Sequence, residues 1–147
     1  MNFDKHLFDK ITALEERIAD LERVETFRTA WQTWTPTYSA IGSMTYTSVT
    51  TTFARYMVFG RMILFEIRAI GTTGGTASSG LIATLPVNKS SSTSILCAGG
   101  WNETGDASFY VASVVLTQSA VQIYKYDRAN FGLGTGRVMA AQGFYEI

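Results

Sequence analysis

One cysteine, one histidine and two prolines in 147 residues put several kinds of protein out of reach. Cys97 alone makes no intrachain disulfide framework, and beside Ile95 and Leu96 it reads as a buried, unreactive core residue. The sole histidine, His6, cannot supply a Ser-His-Asp or Cys-His arrangement within the body of the chain. With one Cys and one His, a zinc site lacks ligands. No apolar run approaches the length of a membrane span, so membrane insertion is not expected. Formal charge is zero, which removes the electrostatic case for nucleic acid or an anionic membrane surface. Residues Met1 to Lys10 mix acidic side chains with an interrupted apolar pattern, unlike a secretion signal. The glycine run Gly132-Leu133-Gly134-Thr135-Gly136 lacks the GxGxxG spacing and precedes a strand, so it reads as a turn and no cofactor is implied.

What charge there is sits at one end. Residues 1–28 hold twelve of the 24 charged side chains. Within them Leu7, Ile11, Leu14, Ile18 and Leu21 recur at a 4-3-4-3 spacing, which keeps one narrow apolar seam on one side of an α-helix. With Leu7 at heptad position d, Ile11 and Ile18 fall at a, and Leu14 and Leu21 at d. Lys10 and Arg17 at g then face Glu15 and Glu22 at e of a neighbouring helix, opposite in sign as parallel in-register helices require. So narrow a seam calls for copies of itself. A helix folded back on its own domain would show a broader stripe. Ile at a with Leu at d favours two strands, whereas Arg17-Ile18-Ala19-Asp20-Leu21-Glu22 resembles the short Arg-apolar-x-x-apolar-Glu motif of small trimeric coiled coils. That resemblance implies trimerisation through Leu7, Ile11, Leu14, Arg17, Ile18, Leu21 and Glu22. Glu25 and Arg28 occupy the next a and d positions and end the seam.

The composition shift near Thr29 predicts two parts: an N-terminal helical stalk over 1–29 and a head over 30–147. The head is poor in charge, rich in Thr, Ser, Gly and aromatics, and reads as eight or nine short strands with regular turns. The spacing predicts a mainly β, antiparallel, jelly-roll-like sandwich. Pro36 restricts its segment to an edge. Arg55 to Arg68 reads as a hairpin turning near Gly60. Along Met62 to Ile70, the residues Ile63, Phe65, Ile67 and Ala69 alternate with Met62, Leu64, Glu66 and Arg68. One set belongs to the core, the other to a subunit interface at its Met62/Leu64 end. Gly71–Gly80 and Gly99–Asp106 read as exposed loops, and Ser108–Leu116 with Val121–Tyr126 as a hairpin.

Two clusters carry the material of a saccharide site, an aromatic ring for the C–H face beside polar groups for the hydroxyls. One is Trp101, Asn102, Glu103 and Asp106; the other is Tyr124, Tyr126, Asp127, Arg128 and Asn130. The alternative is that Trp101 plugs the end of the sandwich and the polar residues form turns. A glycosidase needs two carboxylates, and nothing in the spacing singles out a pair among Glu66, Glu103, Asp106, Asp127 and Glu146; an enzyme is not expected.

Taken together, the short coiled coil, Trp31-Gln32-Thr33-Trp34-Thr35-Pro36-Thr37-Tyr38, the Tyr56/Gly60 hairpin, Leu85-Pro86-Val87 and the closing Gly143-Phe144-Tyr145-Glu146-Ile147 resemble head modules of tailed-bacteriophage fibre and spike proteins. The resemblance implies a homotrimer on the virion surface, assembled in the host cytoplasm, whose β heads attach to host saccharides. It implies a second virion protein as docking partner through Met1 to Phe8. It also admits a capsid decoration or head-fibre protein with a purely structural role. A cellular trimeric lectin-like module is a third class, disfavoured by the lack of a secretion signal.

Five buried Leu and Ile side chains supply about 1.5–3 kcal/mol each, while ordering some twenty residues costs on the order of 1–2 kcal/mol apiece. A helix this short is marginal alone. A peptide of residues 1–28 is therefore expected to be largely unfolded by circular dichroism at concentrations where the full chain is an oligomer; a stable helical trimer of the peptide would contradict this.

Overall fold

The structure, a computed structural model, describes residues 3–25, 30–90, 96–103 and 110–147, with the backbone alone at 3, 4, 6, 20–25 and 96. The chain separates into two compact units, Met1–Ala30 and Trp31–Ile147. Helix α1 (Phe3–Glu25) makes up the first. Its seam residues Leu7, Ile11, Leu14 and Ile18 are between 44% and 55% exposed. The side chains of Leu21 and Glu22 and the start of the expected docking segment lie outside the described residues, as does Asp106.

In the second unit the chain runs through β1 (Gln32–Thr33), β2 (Tyr38–Ala40), β3 (Met44–Phe59), β4 (Met62–Gly75), β5 (Gly80–Thr84), β6 (Leu96–Asn102), β7 (Tyr110–Leu116), β8 (Ala120–Lys125) and β9 (Gly134–Glu146). Every pairing is antiparallel, and the order is β1-β3-β4-β9-β6-β7-β8-β5-β2. The unit is mainly β, and hydrogen bonding joins the strands into one curled sheet. The jelly-roll-like sandwich expected from strand spacing is thereby coarsened to a single sheet.

β1 and β2 are the two end strands of that sheet. The two are ends of one stretch of chain, four residues apart. β1 pairs with β3 at one margin and β2 with β5 at the other. Between them the Trp34 amide donates to the Ala54 carbonyl at 3.2 Å, and the indole Nε1–H donates to the Thr84 carbonyl at 3.1 Å. Tyr38 reaches across to Thr51, 2.7 Å between hydroxyls, and meets the Tyr46 ring edge-on. Residues 32–40 therefore bridge both margins and close the curl, an arrangement that removes the exposed ladder groups of an open edge. Pro36, which has no N–H for a ladder, falls in the gap between the two pairings.

Alternation along β4 sets the inside. Ile63, Phe65, Ile67 and Ala69 are buried, with Leu81, Val121, Ile123, Met139 and Tyr145 facing them. Phe65 and Tyr145 lie 5.8 Å apart between ring centroids, and the Tyr145 hydroxyl donates to the Val87 carbonyl at 2.7 Å. The β3–β4 hairpin turns at Gly60, where φ is +59°.

Two stretches expected as loops are strand. β4 continues through Gly71 to Gly75, leaving 76–79 as the turn, and Gly99–Asn102 belongs to β6. In both, glycine admits a neighbour instead of loosening the backbone. The Tyr46 ring crosses Gly71 to donate its hydroxyl to the Arg137 carbonyl two strands away, at 2.8 Å. A Cβ on Gly71 would lie 2.8 Å from that ring, and one on Gly99 2.4 Å from Val114. Cys97 is half-buried, short of the core position expected, and desolvation pushes its thiol up to about 11, so it stays protonated at neutral pH.

Gly71→Ala is expected to displace the buried Tyr46 ring and destabilise the protein by about 1–3 kcal/mol, read by denaturant unfolding. An unchanged midpoint would mean the ring does not cross the glycine.

Candidate functional site

Of the first expected cluster the structure describes Trp101, Asn102 and Glu103, and the aromatic ring is in the interior. Trp101 is 8% exposed because strand alternation turns it inward at the end of β6. Its indole Nε1–H donates to the Val111 carbonyl at 3.1 Å. The Tyr110 ring stacks on it at 4.9 Å, and Phe131 meets it edge-on at 5.8 Å. The Lys125 ammonium sits 4.7 Å from its centroid, a cation–π contact. Asn102 is wholly buried. At 8% exposure the Trp101 ring is enclosed by Tyr110, Phe131 and Lys125.

Glu103 continues the strand end and binds Lys125 at 2.8 Å, with both side chains largely enclosed. The same carboxylate oxygen accepts the Gly132 amide. Arg137 donates from Nε to the Gly132 carbonyl at 3.0 Å and from Nη2 to the Leu133 carbonyl at 2.8 Å, fixing the glycine-rich loop over this end of the sheet. Thr73, buried on β4, donates to the Gly132 carbonyl at 2.8 Å from the other side. Burial works to raise the Glu103 pKa. The hydrogen bonds from Lys125 and Gly132 and the positive charges of Lys125 and Arg137 outweigh it and hold the carboxyl below its ordinary value.

The second cluster lies past β8. The Arg128 guanidinium covers the Tyr124 ring at 4.1 Å, donates to Ser113 at 3.1 Å, and has φ of +60°. Tyr124 itself donates to Gln122. Asp127 accepts the Ala129 amide at 3.0 Å, an Asx turn. Tyr126 stands 70% exposed and Asn130 is exposed. Lys125 joins the two clusters, since it leaves β8 between Tyr124 and Tyr126 and ends on Glu103.

Two further carboxylates among the described residues of the head are engaged: Glu66 with Arg55, its partner across β3–β4, and Glu146 with Arg61 at 3.4 Å. Among the described residues no group of three His, Cys, Asp or Glu side chains is placed to hold a metal ion. No helix among them is long and apolar enough to cross a membrane. Lys125, Tyr110, Phe131 and Arg137 were not singled out by sequence reasoning. Lys125 had a signal: Val121, Ile123 and Lys125 share the inward phase of one strand, so the lysine must find an interior partner. Comparison with protein-family models, curated proteins and solved structures finds no match to this chain.

Because the folded carboxyl of Glu103 titrates below its unfolded value near 4.5, its contribution is complete above that value. It is lost as pH falls through the lower folded pKa. Lys125→Met, which strands the carboxylate, is expected to cost about 1–3 kcal/mol at pH 7. Glu103→Gln should flatten the pH dependence of stability below 4.5. Equal slopes in Glu103→Gln and wild type would remove the ion pair from the account.

Proposed function

We propose that the protein is a homotrimeric fibre or spike subunit of a tailed-bacteriophage particle, with α1 forming a parallel coiled-coil stalk and the curled sheet a sandwich-like head. One observation carries the reading. The four described seam residues of α1, Leu7, Ile11, Leu14 and Ile18, stand in water on the single chain at heptad spacing. A monomer leaving such a stripe exposed forgoes about 1.5–3 kcal/mol per side chain, and parallel copies recover it. The Arg17/Glu22 motif favours three of them.

Attachment to host saccharides follows the resemblance, with three weak sites on one trimer acting by avidity. A specific observation favours the structural alternative, a capsid decoration or head-fibre protein. Of the three rings assigned to sugar, Trp101 and Tyr124 are covered, by Lys125 with Tyr110 and by Arg128. Tyr126, exposed beside Asp127, remains as the surface aromatic of the second cluster.

Purified full-length protein added to host cells before phage is expected to block adsorption if the heads attach. Failure to compete, together with labelling on the capsid, selects the structural role. In either case Trp101→Ala is expected to lower stability by about 3–5 kcal/mol; a variant of unchanged stability that no longer binds cells would restore Trp101 as a sugar platform.

A further inference from the structure

The outward side of β4, β9 and β6 is a trough. Its floor is made of small residues, Ala98, Gly100 and Ala140, which pair across the three strands with Glu66, Arg68 and Gln142. Its walls are large and apolar: Leu64, Phe144 and Trp31 at one end, Phe53 at the other. Two adjoining hollows of about 500 and 260 Å³ result, sharing Glu66, Ala98 and Gln142. Phe144, Phe53 and Trp31 are each close to 40% exposed. Three large apolar side chains thus remain partly in water around the trough.

We infer that this trough is a head-to-head interface, and that its occupant is a second copy of this chain. The inference rests on the trimeric reading above and adds where the heads meet. Three observations select the occupant. First, a seam of five Leu and Ile side chains does not offset the ordering of a 23-residue helix, so the assembly needs a second contact beyond the stalk. Second, Trp31 forms the rim of the trough, and only five residues separate it from the end of α1 at Glu25. Six extended steps span at most about 22 Å, so bundled helices hold the troughs of neighbouring copies at high effective concentration. Third, the charges at the centre of the trough, Arg55 and Glu66, neutralise each other, with Arg55 also held over the Trp31 ring at 4.6 Å. Arg68 adds a second cation to this face and is itself engaged, so a copy of the face meets no unpartnered charge there.

Gln142 is exposed on the trough floor, and Tyr126 is exposed on the turn after β8, outside the trough. In a Cys97→Ser background, full-length protein carrying Gln142→Cys is expected to give covalently linked copies with a short bismaleimide. It should react slowly with a bulky maleimide while assembled. Tyr126→Cys should label freely and stay unlinked. Phe144→Asp is expected to raise the dissociation constant of the oligomer at least tenfold without changing the near-ultraviolet spectrum of the separated chains. If the wild type is a trimer, yet Gln142→Cys labels freely without linking and Phe144→Asp dissociates as wild type does, the trough is open to a foreign ligand. The inference then fails while the stalk reading stands. A monomeric wild type overturns both.

Discussion

An oily stripe on a short helix, left uncovered by the chain that carries it, is the constraint on which the proposed biology depends. Leu7, Ile11, Leu14 and Ile18 are left about half exposed by their own chain. Their 4-3-4 spacing suits neither a broad core-facing helix nor a solvent-bridging polar one. Only neighbouring helices of the same pattern offer knobs and holes to match. In the proposed stalk the flanking g and e charges constrain how the helices stand, since Lys10 and Arg17 find Glu15 and Glu22 in a parallel, in-register bundle.

The head obeys a different economy of contacts. Residues 32–40 turn a sheet with two margins into one that curls on itself, and the inward phase of each strand then fills a shared interior. One end of that interior is polar as well as packed. Glu103 and Lys125 satisfy each other there beside the Trp101 ring, and Arg137 ties the glycine-rich loop across them. An inward-pointing lysine without its carboxylate partner would be costly at such a site. Beside that pair Trp101 is 8% exposed, whereas Tyr126, just past Lys125, is 70% exposed.

Strand character was legible wherever burial followed a simple alternation. Ile63, Phe65, Ile67 and Ala69 point inward as their spacing requires, and Gly60 turns the hairpin between β3 and β4. Glycine misled the reading at Gly71 and at Gly99–Gly100. A glycine that makes room for Tyr46 or Val114 looks, in one dimension, the same as a glycine that makes a loop. The same glycines make Trp101 read as a loop residue, which hides its inward phase on β6. Closure through residues 32–40 was illegible for another reason, since both partners, β3 and β5, are distant in sequence and chosen by packing. The pairing of Lys125 with Glu103 stood half in view, because the phase of β8 announces a buried cation but not which carboxylate meets it.

The most direct measurement is the mass of the intact chain in solution by sedimentation equilibrium, at micromolar concentration and moderate salt. The account predicts a single species of three times the 16.2 kDa chain mass. A well-folded 16.2 kDa monomer would contradict it.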